Sequence, residues 1–145
     1  MSVLHVLFKV DDAEYVLPAS DVLHMETYTG ATRVPGAPAY VAGLMQIRRR
    51  VIPVVDLRLR FGLPAREATL DSRVVVVQAG ERAVGLLADS VREVKSIPPD
   101  DFKPPPELIL QQSSGYVTRV AQAGARLLML IDFRKVIGEE LPSGQ

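Results

Sequence analysis

The chain has 145 residues, 48% hydrophobic, with 17 basic and 17 acidic side chains, which excludes a polyelectrolyte and suits a folded globular protein. Cysteine is absent, so disulfides, thiolate metal sites and thiol nucleophiles are excluded together. No apolar run approaches the roughly 18 residues that span a bilayer, and the length allows one domain or two very small ones sharing a core.

The first segment, "VLHVLFKV" (3–10), is strand-like. It carries neither a basic leader nor a small-residue cleavage site, so it reads as a first strand of a cytoplasmic protein. Next come "YVLPASDVLHM" (15–25), a "VPGAPAY" corner (34–40) and "GLMQIRRRVIPVVDLRLRFG" (43–62). Three consecutive arginines cannot be buried unpaired, so Arg48–Arg50 predicts a turn that reaches water or a partner. Pro53 cannot donate to a ladder, which predicts an edge strand or a bulge. Arg58 and Arg60, two apart, read as the solvated face of a strand. "LPAREATLDS" (63–72) is a junction, and "RVVVVQAGERAVGLLAD" (73–89) predicts a hairpin with Gly80 at positive φ. "IPPDDFKPPPE" (97–107) predicts an extended surface crossing, and "ARLLMLIDF" (125–133) a last strand. Helical signal is confined to short turns near Ala37–Tyr40 and Phe133–Gly138. The expected class is all-β.

The chain resembles itself. With a shift of 76, "YVAGLMQIRRRVIPVVDLRLRFG" (40–62) lies over "YVTRVAQAGARLLMLIDFRKVIG" (116–138) without a gap. Tyr40/Tyr116, Val41/Val117, Gln46/Gln122, Arg50/Arg126, Asp56/Asp132, Arg58/Arg134 and Gly62/Gly138 are identical. Upstream, 15–25 matches "VGLLADSVREV" (84–94) at a shift of 69. Two copies of one β-unit follow. Each is small for a core of its own, so we expect two small barrels side by side, near 15–70 and 73–140, with strand 3–10 exchanged and 141–145 a tail.

Catalytic chemistry is not visible. His5 lies in a strand-like run and reads as structural, and His24 alternates with Leu23 and Met25 and reads as exposed. Neither histidine has a carboxylate pattern for a metal or a base–nucleophile pair. Ser113 and Ser114 lack a G-x-S-x-G elbow, and no phosphate-binding glycine loop occurs. Asp56 and Asp132 occupy matching places at strand ends, where an acid caps the following turn. No catalytic residue, metal or cofactor is therefore expected. The stretch from Tyr28 to Arg66 carries arginines 33, 48, 49, 50, 58, 60 and 66 against Asp56 alone. That basicity leaves nucleic acid or a small molecule as alternative ligands. The aromatics beside it look like core rather than a stacking platform for bases.

The stretch 34–62, with "GLLADSVREV" (85–94) and "LLMLIDFRKVIG" (127–138), resembles the CheW family of chemotaxis coupling proteins. Pro38, Tyr40, Gly43, Arg48, Pro53, Asp56, Leu57 and Arg58 fall on one family pattern, and Gly85, Leu86, Leu87, Asp89, Val91 and Val94 on another. The resemblance covers the chain from end to end. It implies two SH3-like five-stranded barrels and a non-enzymatic adaptor. The adaptor would join the cytoplasmic helical hairpin of a chemoreceptor to the CheW-like regulatory domain of a histidine kinase, meeting the membrane only through receptors. By the same resemblance Val22, Val41, Gly43, Leu44, Val91 and Val94 line the receptor groove. Arg48 supports them by bonding neighbouring backbone, and Lys103 and Leu108 make the kinase contact. The family's N-L-R-G reads "QIRR" here, so Arg49 stands where glycine is usual, and Arg49 and Arg50 are expected to tune partner choice. His24 stands where relatives carry an acid. These departures also suit a divergent paralogue in a motility pathway that lacks one partner.

Overall fold

The computed structural model describes residues 2–138; the tail 141–145 lies outside them. The valine-rich runs form strands β1 (Val3–Val10), β2 (Ala13–Pro18), β3 (Val22–Thr27), β4 (Val41–Ile47), β5 (Arg50–Asp56), β6 (Arg73–Ala79), β7 (Arg82–Ala88) and β8 (Ser90–Ile97). β9 (Phe102–Lys103), β10 (Val117–Ala123) and β11 (Arg126–Ile131) follow. Three short helices, α1 (Leu57–Arg60), α2 (Glu107–Gln112) and α3 (Phe133–Ile137), interrupt them.

The strands make two sheets, ordered β3-β6-β7-β5-β4 and β8-β1-β2-β11-β10-β9. Both follow one plan. A central hairpin (β6–β7 or β1–β2) pairs on one side with a single antiparallel strand (β3 or β8). On the other side it pairs in parallel with the second strand of another hairpin (β5 or β11). The twofold repeat is thus real, and the two-residue β9 adds a sixth strand to one copy. The expected division near 15–70 and 73–140 does not follow sheet membership. Residues 73–88 sit with β3, β4 and β5, and the whole hairpin β1–β2, not strand 3–10 alone, sits with β8, β10 and β11. The five-stranded sheet curls until its edges meet. Thr32, after β3, bridges Leu44 of β4, and Arg48 beyond β4 reaches Glu26 of β3 at 3.0 Å.

Both faces of the central strands are buried, which is why "VVVV" (74–77) shows no alternation. Val75 and Val77 join Phe8, Leu17, Val55, Leu86, Ile131 and Phe133 in a core shared by the two sheets. Val74 and Val76 turn into a second cluster inside the five-stranded sheet with Met45, Ile52 and Val54. Leu7, Val16, Phe102 and Leu128 fill the matching interior of the other sheet.

Several local expectations change. Pro53 lies in an interior strand opposite Leu44, without a register shift at that pair. Leu44 uses its own N–H and carbonyl on Thr32 at 2.8 Å, and the β5–β7 ladder begins only at Val54, so the missing N–H of Pro53 is not required. Asp56 and Asp132 are caps as expected. The carboxylate of Asp56 accepts from the N–H groups of Arg58 and Leu59, and that of Asp132 from Arg134 and Lys135. Arg58 and Arg60 therefore lie on a helix, not on a strand, and Arg58 is buried. Residues 97–107 do not simply cross the surface, because Phe102 is buried and α2 starts at Glu107. Of the two short helical turns expected, the one near Phe133–Gly138 forms as α3, whereas residues 37–40 hold no helix.

Candidate functional site

Val22 and Val91, repeat mates at a shift of 69, sit at the starts of the edge strands β3 and β8, and both pack half-buried against the shared core. Beyond them the strands carry apolar side chains into water. Leu4, Leu23, Met25 and Val94 are 40 to 55% exposed. Met25 pairs with Val75 of the shared core and Val94 with the deeply buried Val6, so these two exposed residues edge the seam between the sheets. Single exposed leucines are ordinary, but four large apolar side chains on two edge strands and their neighbour make a candidate contact surface. Leu4, Leu23 and Met25 escaped the sequence reading. The signal for Leu23 and Met25 is an inverted phase in "VLHMET", where these two face out and His24 and Glu26 are half-buried.

The other expected groove residues are scattered. Val41 is buried opposite Val55, and Gly43 is buried at φ 140, where a Cβ would overlap the Thr32 carbonyl. Both act beneath the surface. Leu44 is half-buried on β4, where its backbone bridges Thr32 and closes the curled sheet. Lys103 is exposed on β9, next to the buried Phe102, and Leu108 is exposed on α2.

The arginine knuckle is a two-residue turn between the paired Ile47 and Arg50. Arg48 and Arg49 take φ 49° and 69°, the mirror-image turn that suits a tight hairpin and ordinarily asks for Asn-Gly. The chain keeps this turn in spite of two bulky residues. The side chain of Arg48 is two-thirds exposed and donates through Nε to the Glu26 carboxylate at 3.0 Å, not to neighbouring backbone as expected. The same oxygen, Oε2, lies 3.0 Å from His24 Nδ1, which is closed off from water, so His24 is less exposed than expected. His5 is structural: it is buried, with Nδ1 2.9 Å from the Val3 carbonyl and its ring against Phe102.

One ion network ties the two sheets, and a second lies within the six-stranded sheet. Arg58 donates to Asp89 at 2.9 Å, Asp11 at 3.3 Å and the Pro64 carbonyl at 3.0 Å, and Arg66 also reaches Asp89 at 2.7 Å. Burial works against the Arg58 charge, but Asp89 and Asp11 outweigh it and its pKa is raised. Burial also raises the carboxyl of Asp56, against the pull of its two N–H donors. Arg126 holds both oxygens of Glu14, with Glu93 3.8 Å away, and its hydrogen bonds keep Glu14 below its ordinary value.

A cavity of about 360 Å³ opens between α1 and α2, walled by Tyr15, Phe61, Ile109, Tyr116 and Met129. Ser113 and Ser114 line it, and no histidine or carboxylate does. Among the described residues no group of three or more His, Asp or Glu could hold a metal ion, and no helix is long and apolar enough to cross a membrane.

A seam framed by repeat-matched edge strands, in a duplicated β-fold, invites comparison with known proteins. The family model described as "CheW-like domain" matches residues 4–141. The chain belongs to the CheW-like family. A "Chemotaxis protein CheW" from Rhizobium meliloti is 31% identical over 135 residues, spanning 93% of this chain and 87% of that protein. "Protein FrzA" from Myxococcus xanthus is 31% identical over 134 residues, spanning 90% and 80%. The crystal structure of "scaffolding protein TtCheW" from Thermoanaerobacter tengcongensis superposes with a TM-score of 0.88 at 28% identity, covering 98% of this chain and all of that one. A CheW-like fold of two packed barrel-like sheets is therefore shared with a solved relative.

Proposed function

We propose that this CheW-like chain is a non-enzymatic adaptor in chemotaxis signalling, coupling a chemoreceptor to a histidine kinase in the cytoplasm. The supporting observation is the exposed apolar set at the seam, Leu4, Leu23, Met25 and Val94, above the half-buried Val22 and Val91. An apolar ridge on a helical hairpin fits a groove of this kind, and neither partner needs chemistry there. The regulatory domain of the kinase docks elsewhere, on the exposed Lys103 and Leu108, so both partners can be held at once. Coupling is then a matter of holding two proteins in one geometry and shifting their populations together. The exposed Arg49 and Arg50 tune the choice of partner, because charges at a rim act on encounter rate and specificity more than on affinity.

The test is co-sedimentation of purified chain with a receptor cytoplasmic hairpin and, separately, with the kinase regulatory domain. Val94→Glu should lose the hairpin, keep the kinase domain and leave the unfolding midpoint nearly unchanged, since Val94 is 51% exposed. Val91 is a poorer site, because it packs on the shared core and a charge there also costs folding. Full hairpin binding by Val94→Glu would remove the seam from the receptor contact.

A further inference from the structure

Arg60, the last residue of α1, reaches from one sheet to the other. Its Nε donates to the Val136 carbonyl at 2.6 Å and its Nη2 to the Lys135 carbonyl at 3.2 Å, both in α3. Its guanidinium carbon stands 4.0 Å from the ring centroid of Tyr40 and 5.1 Å from that of Tyr116. Each tyrosine is anchored in the same way. The Asp56 N–H donates to the Tyr40 carbonyl at 2.7 Å, and the Asp132 N–H to the Tyr116 carbonyl at 2.8 Å. Tyr40 leads into β4 and Tyr116 into β10, so the arginine lies between rings that belong to different sheets.

The repeat gives this position its meaning. A shift of 76 carries Tyr40 onto Tyr116, Leu59 onto Lys135 and Arg60 onto Val136. Arg60 therefore bonds the counterpart of its own residue, which is possible only close to the pseudo-twofold axis. Val136 is fully buried, so one arginine joins both halves. The carbonyls it meets lie in the closing turn of a helix, where they have no partner within it. A planar guanidinium can donate in its plane while its faces stack on rings, and an ammonium cannot do both.

We propose that Arg60 is the positioning residue of the partner groove, setting the angle between the sheets and so the separation of β3 and β8. α1 continues β5 without a break and α3 follows β11 after Asp132 alone, so tying the helices together ties the sheets. β3 and β8 belong one to each sheet and move with them. The effect on binding rests on the seam being the receptor site; the effect on geometry does not.

The cysteine-free chain accepts spin labels at Gln46→Cys and Gln122→Cys, exposed repeat mates on β4 and β10. Double electron–electron resonance should give one narrow distance distribution. Arg60→Met, which keeps an unbranched stem but loses the cation and the donors, should broaden or shift it without loss of strand content. Arg60→Lys should broaden it as well, because the charge survives without the fork. A parental distribution in either variant overturns the proposal. If Arg60→Met does not fold, Tyr116→Leu, which removes only the ring on the far sheet, must broaden the distribution, and an unchanged one is equally fatal. Hairpin affinity should fall about tenfold in Arg60→Met. A hairpin that fails to bind the parent chain defeats the seam reading alone, because the distances still report on Arg60.

Discussion

Arg49 occupies a φ of 69°, a region that costs a residue with a Cβ roughly 1–2 kcal/mol. Of the four two-residue hairpin loops among the described residues, only this one has both central residues at positive φ; in the others Asp11, Gly80 and Gly124 take it singly. Arg49→Gly should therefore raise stability by up to about 1 kcal/mol, the gain being trimmed by the freer unfolded chain. Urea titration of both proteins reads this as a higher midpoint at constant slope. Gly43 is the opposite case. At φ 140, with the Thr32 carbonyl in the place of any Cβ, Gly43→Ala should cost about 3 kcal/mol or more and open the Thr32–Leu44 bridge. A midpoint unchanged by Gly43→Ala would mean that the bridge yields freely.

At the scale of elements, the segment from Asp56 to Pro64 is a knot that holds strand ends in place. Asp56 caps α1, and Arg58, next but one, collects Asp11 from the β1–β2 turn and Asp89 from the β7–β8 crossover. Asp89 is where the chain leaves one sheet for the other, and its N–H donates to Lys9 of β1 at 2.9 Å. Arg58→Met should destabilise by about 2 kcal/mol, less than a fully buried pair because Asp11 and Arg66 remain half in water. Asp11→Ala in the Arg58→Met background should then add little, since the partners share one network. Fully additive losses in that double-mutant cycle would mean that the two side chains act independently. Such a knot is invisible in sequence because Asp11, Arg58 and Asp89 are distant in the chain, whereas the Asp56 cap is local and was legible.

At the scale of the molecule, the pair Glu14–Arg126 joins residues 112 apart in sequence, and Arg126 also faces Glu93 of β8. Arg126 holds the Glu14 carboxyl below its ordinary value of 4.5. A carboxylate depressed in the folded state contributes stability that is complete above its unfolded pKa and is lost as pH falls through the folded one. Parent and Arg126→Met should therefore differ in unfolding midpoint at neutral pH and converge as the pH falls through the lowered pKa of Glu14. A difference that is the same at neutral and at low pH would mean that the ion pair is not its source. The valine runs, the glycine and arginine turns, the strand-end aspartates and the internal repeat were all legible in the sequence, because hydrophobic patterning, φ preference and capping act over a few residues. By itself the sequence determined an all-β chain made of two matching units and the family whose pattern those units carry. Only the tertiary structure decided which hairpin joins which sheet, that Pro53 sits in an interior strand, that Arg58 is buried, and that Leu23 and Met25 face water. Those outcomes rest on pairings between distant segments, where loop-closure entropy and the burial of a shared core outweigh any local preference.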